Sequence, residues 1–158
     1  MDSITLQQQE QLLIQEYKSA ERKRVLIVNH EHDVNFALKL VLEEEEGSRE
    51  VDKRNHFQVD SFNDPILALN NFEKGFYDLL IIAVVMPMIN GFELAKEIRK
   101  IDDKVKMCFL IAGEVPSKIR FDDTLVQEEE EGGYQDKFIK LPIENKDLIE
   151  QIDRIINL

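Results

Sequence analysis

The sequence has a single cysteine, Cys108, so no internal disulfide can form; set inside an apolar run, it is expected to act as a small buried hydrophobe with no redox role. No apolar run is long enough to span a bilayer, and the amino-terminus opens with Asp2 and a glutamine-rich stretch in place of a basic segment and an apolar core. A cytoplasmic, unprocessed chain with no membrane association is the expectation. Basic residues are scarce: 20 Lys and Arg stand against 32 Asp and Glu, a net charge of -12. That charge repels phosphate backbones and anionic lipid, which argues against nucleic acid and for a protein partner with a basic or apolar face. Also missing are paired cysteines, a nucleophile beside a base and a glycine loop that could cradle phosphate, so neither an enzyme nor a bound cofactor is expected.

What the 158 residues do contain is room for one full core and an alternation of two periodicities. Val25 to Val28 form a β-branched run, followed by Val34, Ala37, Leu38, Val41 and Leu42 at helical spacing. After a charged stretch with Gly47, Phe57 and Val59 alternate with polar residues; Asp64 and Pro65 then supply an N-cap and first position for a helix expected to end near Gly75. Leu79 to Val85 is apolar throughout, as in a strand buried on both faces, and Leu94, Ile98 and Ile101 mark one face of the next helix. Met107 to Ala112 is a fourth strand, leading into a weakly patterned segment broken by Pro116 and ending in Glu128 to Glu131, Gly132 and Gly133, where any helix should be poorly fixed. Phe138 to Leu141 and a helix carrying Leu148, Ile149, Ile152, Ile155 and Ile156 complete the chain. Five strands alternating with helices predict an α/β fold: a five-stranded parallel sheet covered on both faces. Residues 3–21 form an extra amphipathic helix with Leu6, Leu13 and Tyr17 near one face, so the division is 1–21 as an extension and 22–158 as the domain.

In such a sheet the loops after the carboxyl ends of the strands form the ligand crevice. Three segments there, Val25-Leu-Ile-Val-Asn-His-Glu31, Tyr77-Asp-Leu-Leu-Ile-Ile-Ala-Val-Val-Met-Pro87 with Asn90 and Gly91, and Phe138-Ile-Lys-Leu-Pro142, resemble the landmark motifs of receiver domains of the response-regulator family. The resemblance covers about residues 22 to 158, and Met-Pro followed by Asn-Gly is its most specific piece. It implies the flavodoxin-like receiver fold, two-component signalling and a cis peptide before Pro142.

It also implies a phosphorylation site, and there this sequence departs at each chemical position. Where receivers carry two acidic residues that hold magnesium stand Asn29 and His30; the phosphate-accepting aspartate is Ala83, the hydroxyl residue is Ile111 and the lysine is Leu141. Lys140 is adjacent to that last position, but neighbouring strand residues point to opposite faces. Loss of the lysine together with its carboxylates makes physical sense, because an unpaired cation in the crevice would be costly, and Ala83, Ile111 and Leu141 can form an apolar plug. The expected function is a stand-alone, phosphorylation-independent adaptor with no output module, binding a signalling protein or a second copy through Leu6, Leu13, Tyr17 and Phe138. Drift without gain of function is the bland reading of the same substitutions.

Two other readings compete. His30, Glu31, His32 and Asp33 together offer metal-ligand chemistry, or a pair of histidines titrating near neutral pH, although consecutive residues diverge in direction and His32 or Asp33 serves more simply as N-cap to a helix starting at Val34. A purely structural dimerisation domain is the other. Glu43 to Glu46 and Glu128 to Glu131 are read as solvated charge.

Overall fold

The computed structural model describes residues 4–43, 57–119 and 137–157, with residues 15–21 described by backbone alone. In chain order the elements are α1 (Leu6–Glu21), β1 (Lys23–Val28), α2 (His32–Glu43), β2 (Phe57–Phe62), α3 (Pro65–Asn71), β3 (Leu79–Ala83), α4 (Gly91–Ile101), β4 (Lys106–Ala112), β5 (Phe138–Leu141) and α5 (Asn145–Ile156). The strands form one parallel sheet in the order β2-β1-β3-β4-β5. Helices α2 and α5 pack together, as do α3 and α4. The expected architecture, including the helix ahead of the first strand, is the one observed.

Strand composition follows position in the sheet. β1 and β3 are interior, so Val25 to Val28 and Leu79 to Ala83 are buried without alternation. β2 lies at an edge and keeps the alternation of buried Phe57 and Val59 with exposed Gln58 and Asp60. Cys108 is fully buried in β4, where burial pushes its thiol well above the ordinary value, so it packs as the hydrophobe anticipated.

Several local expectations are corrected. α2 begins at His32 rather than Val34, which places His32 and Asp33 inside its first turn, with the Glu31 carbonyl accepting from Asn35 N at 3.1 Å. Its buried face is Asn35, Leu38 and Leu42, while Ala37 is exposed. α3 starts as expected, with the Asp64 carboxylate accepting from Ile66 N at 2.8 Å and Pro65 next, but it ends at Asn71, and Gly75 lies in a following turn with φ +78°. β3 stops at Ala83, two residues before Val85, and Ile101 is exposed at the end of α4. Glu43 is not simply solvated: its Oε1 accepts from Val59 N of β2 at 2.9 Å. Residues 44–47 and 120–136, with both remaining acidic stretches and the paired glycines, lie outside the described residues.

Two contacts fix α4 on the sheet. At its start Asn90 and Glu93 form a capping box, and Gly91 N donates to the Val84 carbonyl at 2.9 Å, so the helix begins pressed against the end of β3. A Cβ on Gly91 would collide with the Ala83 carbonyl oxygen and lie 2.9 Å from its carbon. This explains the Asn-Gly pair physically: one residue caps and the next must have no side chain. At its far end buried Asp102 accepts from Gly75 N (2.9 Å), Lys104 N (2.9 Å) and Val105 N (3.1 Å), tying the turn after α3 to the loop before β4. Burial alone would raise the Asp102 carboxyl, but these three N–H bonds and the nearby Arg99 guanidinium outweigh it and hold it below the ordinary value.

Two predictions follow from these contacts. Gly91→Ala is expected to lower stability by about 3 kcal/mol, the upper part of the overpacking range, read as a shift in urea midpoint; an unchanged midpoint would refute the close approach. Because Asp102 titrates lower folded than unfolded, its contribution is complete above about pH 4 and lost as pH falls through the folded value. Asp102→Asn should therefore cost about 1–3 kcal/mol at neutral pH and make the acid limb of the stability curve shallower than in the parent.

Candidate functional site

The parallel sheet brings the carboxyl ends of β1, β3, β4 and β5 to one edge, and four of the sequence-selected residues stand along it. Register sets Val28 beside Ile82, so Asn29, the residue after β1, is level with Ala83 at the end of β3. Ala83 pairs with Leu110, which puts Ile111 one residue further along β4, and Leu141 ends β5 opposite Ala112. Neighbouring strand ends thus carry Asn29, Ala83, Ile111 and Leu141 as a stepped row.

Each residue in the row is anchored by its strand. Asn29 is 4% exposed; its N–H donates to the Phe62 carbonyl at 3.2 Å and its carbonyl accepts from Asn35 Nδ2 at 2.7 Å. Ala83 is 5% exposed, with its carbonyl against the start of α4. Ile111 and Leu141 are half-buried and packed on the core, whereas Lys140 is exposed, as alternation requires. The Leu141–Pro142 bond is cis.

Asn35 was not anticipated, yet its signal was in the sequence: Asn35, Leu38 and Leu42 share helical spacing, so an amide occupies an inward-facing position among leucines. It is 1% exposed, and its Oδ1 has no hydrogen-bond partner among the described residues. The second feature missed is Met88, between β3 and α4, which takes φ +73° with its side chain 80% exposed beside the crevice.

The donor set of the crevice decides what it can hold. Magnesium, which the resemblance implies for a receiver, takes hard oxygen ligands. Asn29, His30 and Ala83 offer an amide, an imidazole and a methyl group, and the Asn29 carbonyl is already bonded to Asn35. These residues do not fit that ion. His30 is exposed and its Nε2 lies 3.8 Å from Glu31 Oε1, while His32 is exposed at the start of α2. Among the described residues no three His, Cys, Asp or Glu side chains group as a metal site.

The residues selected for a partner surface lie elsewhere. Leu6 and Leu13 of α1 are 80% and 64% exposed, and the Tyr17 side chain lies outside the described residues. Phe138 is a correction: it is 7% exposed at the amino end of β5, its ring 5.9 Å from that of Phe109, and its carbonyl accepts from Gln151 Nε2 at 2.8 Å. It belongs to the core because β4 and α5 both cover the start of this short edge strand.

Comparison with known proteins accords with this geometry. A family model for the response regulator receiver domain matches residues 25–153. Among solved structures, the non-phosphorylated HemR receiver domain from Leptospira biflexa is similar at 23% identity and TM-score 0.64, covering 87% of this chain and 96% of that one. A CheY-like receiver domain protein from Methanospirillum hungatei is 19% identical at TM-score 0.61, covering 86% and 94% respectively. Chemotaxis protein CheY4 from Vibrio cholerae is 18% identical at TM-score 0.61, covering 85% and 98%. No curated protein matches the chain. At these identities the structures testify to the fold; with the family model spanning most of the chain, it belongs to the response regulator receiver domain family.

Proposed function

We propose that this receiver is a phosphorylation-independent adaptor of the two-component type, acting by protein–protein binding. The observation that carries the reading is Ala83: the strand end facing the crevice offers a methyl group where acyl-phosphate chemistry requires a carboxylate oxygen. Three further features support it. Asn29 and His30 lack the charge to hold a magnesium ion, Ile111 supplies no hydroxyl, and Leu141 supplies no cation to a phosphoryl group. With Ile111 and Leu141 half-buried on the core and Ala83 buried, the crevice favours apolar closure over anion binding. A receiver without a phosphoryl group has no ligand to bias two states, so its binding surface is held in one and binding is constitutive.

The extension 1–21 supplies the contact surface in this reading. Thr5 and Gln8 bond reciprocally at the start of α1, Gln8 N to Thr5 Oγ1 at 3.2 Å and Thr5 N to Gln8 Oε1 at 3.0 Å, so the helix carries its own capping box. Leu6, Leu12, Leu13 and Ile14 are exposed along it, and a helix of this length is marginal in water without a covering surface. A protein partner or a second copy covers it. No helix among the described residues is long and apolar enough to cross a membrane.

Two outcomes are expected. Magnesium with a small phosphodonor, or beryllofluoride as its mimic, should leave the amide resonances of Ala83, Val84 and Gly91 unmoved; recovery of stoichiometric acid-labile phosphate on the protein would sink the adaptor reading. Leu6→Asp with Leu13→Asp should abolish partner capture and self-association while leaving the thermal midpoint within about 2 °C of the parent. A parent that sediments as a monomer at high concentration, with partner capture equal in the double variant, would remove α1 from the binding surface.

A further inference from the structure

We propose that the carboxyl edge of the sheet, around the closed crevice, is a docking surface for a protein segment that sets an apolar side chain between basic residues, with Met88 as its anchor. The loop between β3 and α4 presents that residue. Gly91 N returns to the Val84 carbonyl at 2.9 Å, so residues 84–91 close on themselves over the end of β3. Within the loop Ile89 N donates to the Pro87 carbonyl at 2.9 Å around Met88 at φ +73°, a γ-turn of the rare and strained kind. Met88 is 80% exposed, so no interior packing offsets that strain. Strain without such an offset points to a use for the side chain outside the fold.

Met88 has apolar neighbours. Ile111, Val115, Leu141 and Ile143 lie at or just beyond the ends of β4 and β5, packed on the core and half-buried, so each leaves part of its side chain open. Register keeps these strand ends together, because Ala83 pairs with Leu110 and Ala112 with Leu141. All four prolines of the chain, Pro65, Pro87, Pro116 and Pro142, also follow strands at this edge. Their fixed φ stiffens the loops before a partner arrives, which lowers the ordering cost of docking.

Charge selects the partner. Among the described residues at this edge carboxylates outnumber lysines, with Glu31, Glu114 and Glu144 exposed in the loops after β1, β4 and β5, in a chain of net charge -12. Asn35 Oδ1, unpaired among the described residues on the side chain that holds the Asn29 carbonyl, is an acceptor too and adds to the same potential. A second copy of this chain would bring like charge. Lysines or arginines flanking an apolar side chain instead complement this border while that side chain packs on Met88 and its neighbours. Methionine suits the anchor, since its unbranched, polarizable chain adapts to the shape it meets. The inference rests on the adaptor reading, in which the crevice holds no phosphoryl group, and adds a surface separate from α1.

The test titrates the full chain with a short Lys/Leu peptide whose leucines share one helical face, followed by amide resonances. A Glu/Leu peptide of the same pattern and a Lys/Ser peptide form the second and third arms. Saturable shifts at Met88, Ile89, Ala112 and Leu141 are expected with the first, at a midpoint about tenfold or more below those of the other two. Met88→Gly removes the anchor without changing charge and relieves the left-handed φ, so affinity should fall about fivefold while the thermal midpoint rises. Glu31→Gln/Glu114→Gln/Glu144→Gln should weaken the peptide and flatten its salt dependence. Absence of saturation up to about 1 mM peptide, equal midpoints for the parent and Met88→Gly, or equal affinity for the Glu/Leu peptide would overturn the proposal. So would the same shifts on concentrating the protein alone, which would make a second copy the occupant. Acid-labile phosphate in the phosphodonor experiment would instead remove the adaptor reading, so the two failures are told apart.

Discussion

Everything that distinguishes one end of this molecule from the other depends on the parallel register of β1, β3 and β4. Because the three strands run the same way, their carboxyl ends collect on one edge and their amino ends on the other, and neither edge mixes the two. These interior strands are paired on both sides and covered on both faces, so functional variation falls on the residues at and around the strand ends. At the carboxyl edge those residues are Asn29, Ala83, Ile111 and Leu141; at the amino edge they are Lys23, Asp78 and Lys104. One edge has become largely apolar while the other keeps charges of both signs.

The sequence made the sheet legible because burial on two faces writes itself as uninterrupted apolar runs, as in Val25 to Val28 and Leu79 to Ala83. The crevice residues were legible for the same reason: once the strands are located, their carboxyl ends are located too. What escaped were the features decided by tertiary neighbours. Phe138 sits in a four-residue edge strand too short for alternation to report a face, and β4 with α5 encloses it. Asp102 reads as ordinary loop charge, yet it is a buried acceptor for three N–H groups from two segments far apart in sequence.

Buried polar groups mark where the chain departs from a purely apolar interior. Asn35 ties the first helical turn of α2 to the carbonyl just after β1, so the crevice wall on that side is held by an amide-to-backbone bond rather than by packing alone. An amide is neutral and does not change its protonation state near physiological pH. Around the crevice, then, the side chains buried beside Ala83 carry no charge, whereas the clamp at the other edge is a carboxylate.

The bond from Val59 N to Glu43 has a bearing on how the molecule behaves in company. β2 is an outermost strand, and such strands expose unpaired N–H groups that can recruit a strand from another chain. Glu43 occupies one of these donors with a carboxylate carried on the preceding helix, which both removes the donor and places negative charge along that border. Two copies meeting border to border would oppose like charges across a ladder already missing a rung, so chain-to-chain sheet extension is discouraged on this side.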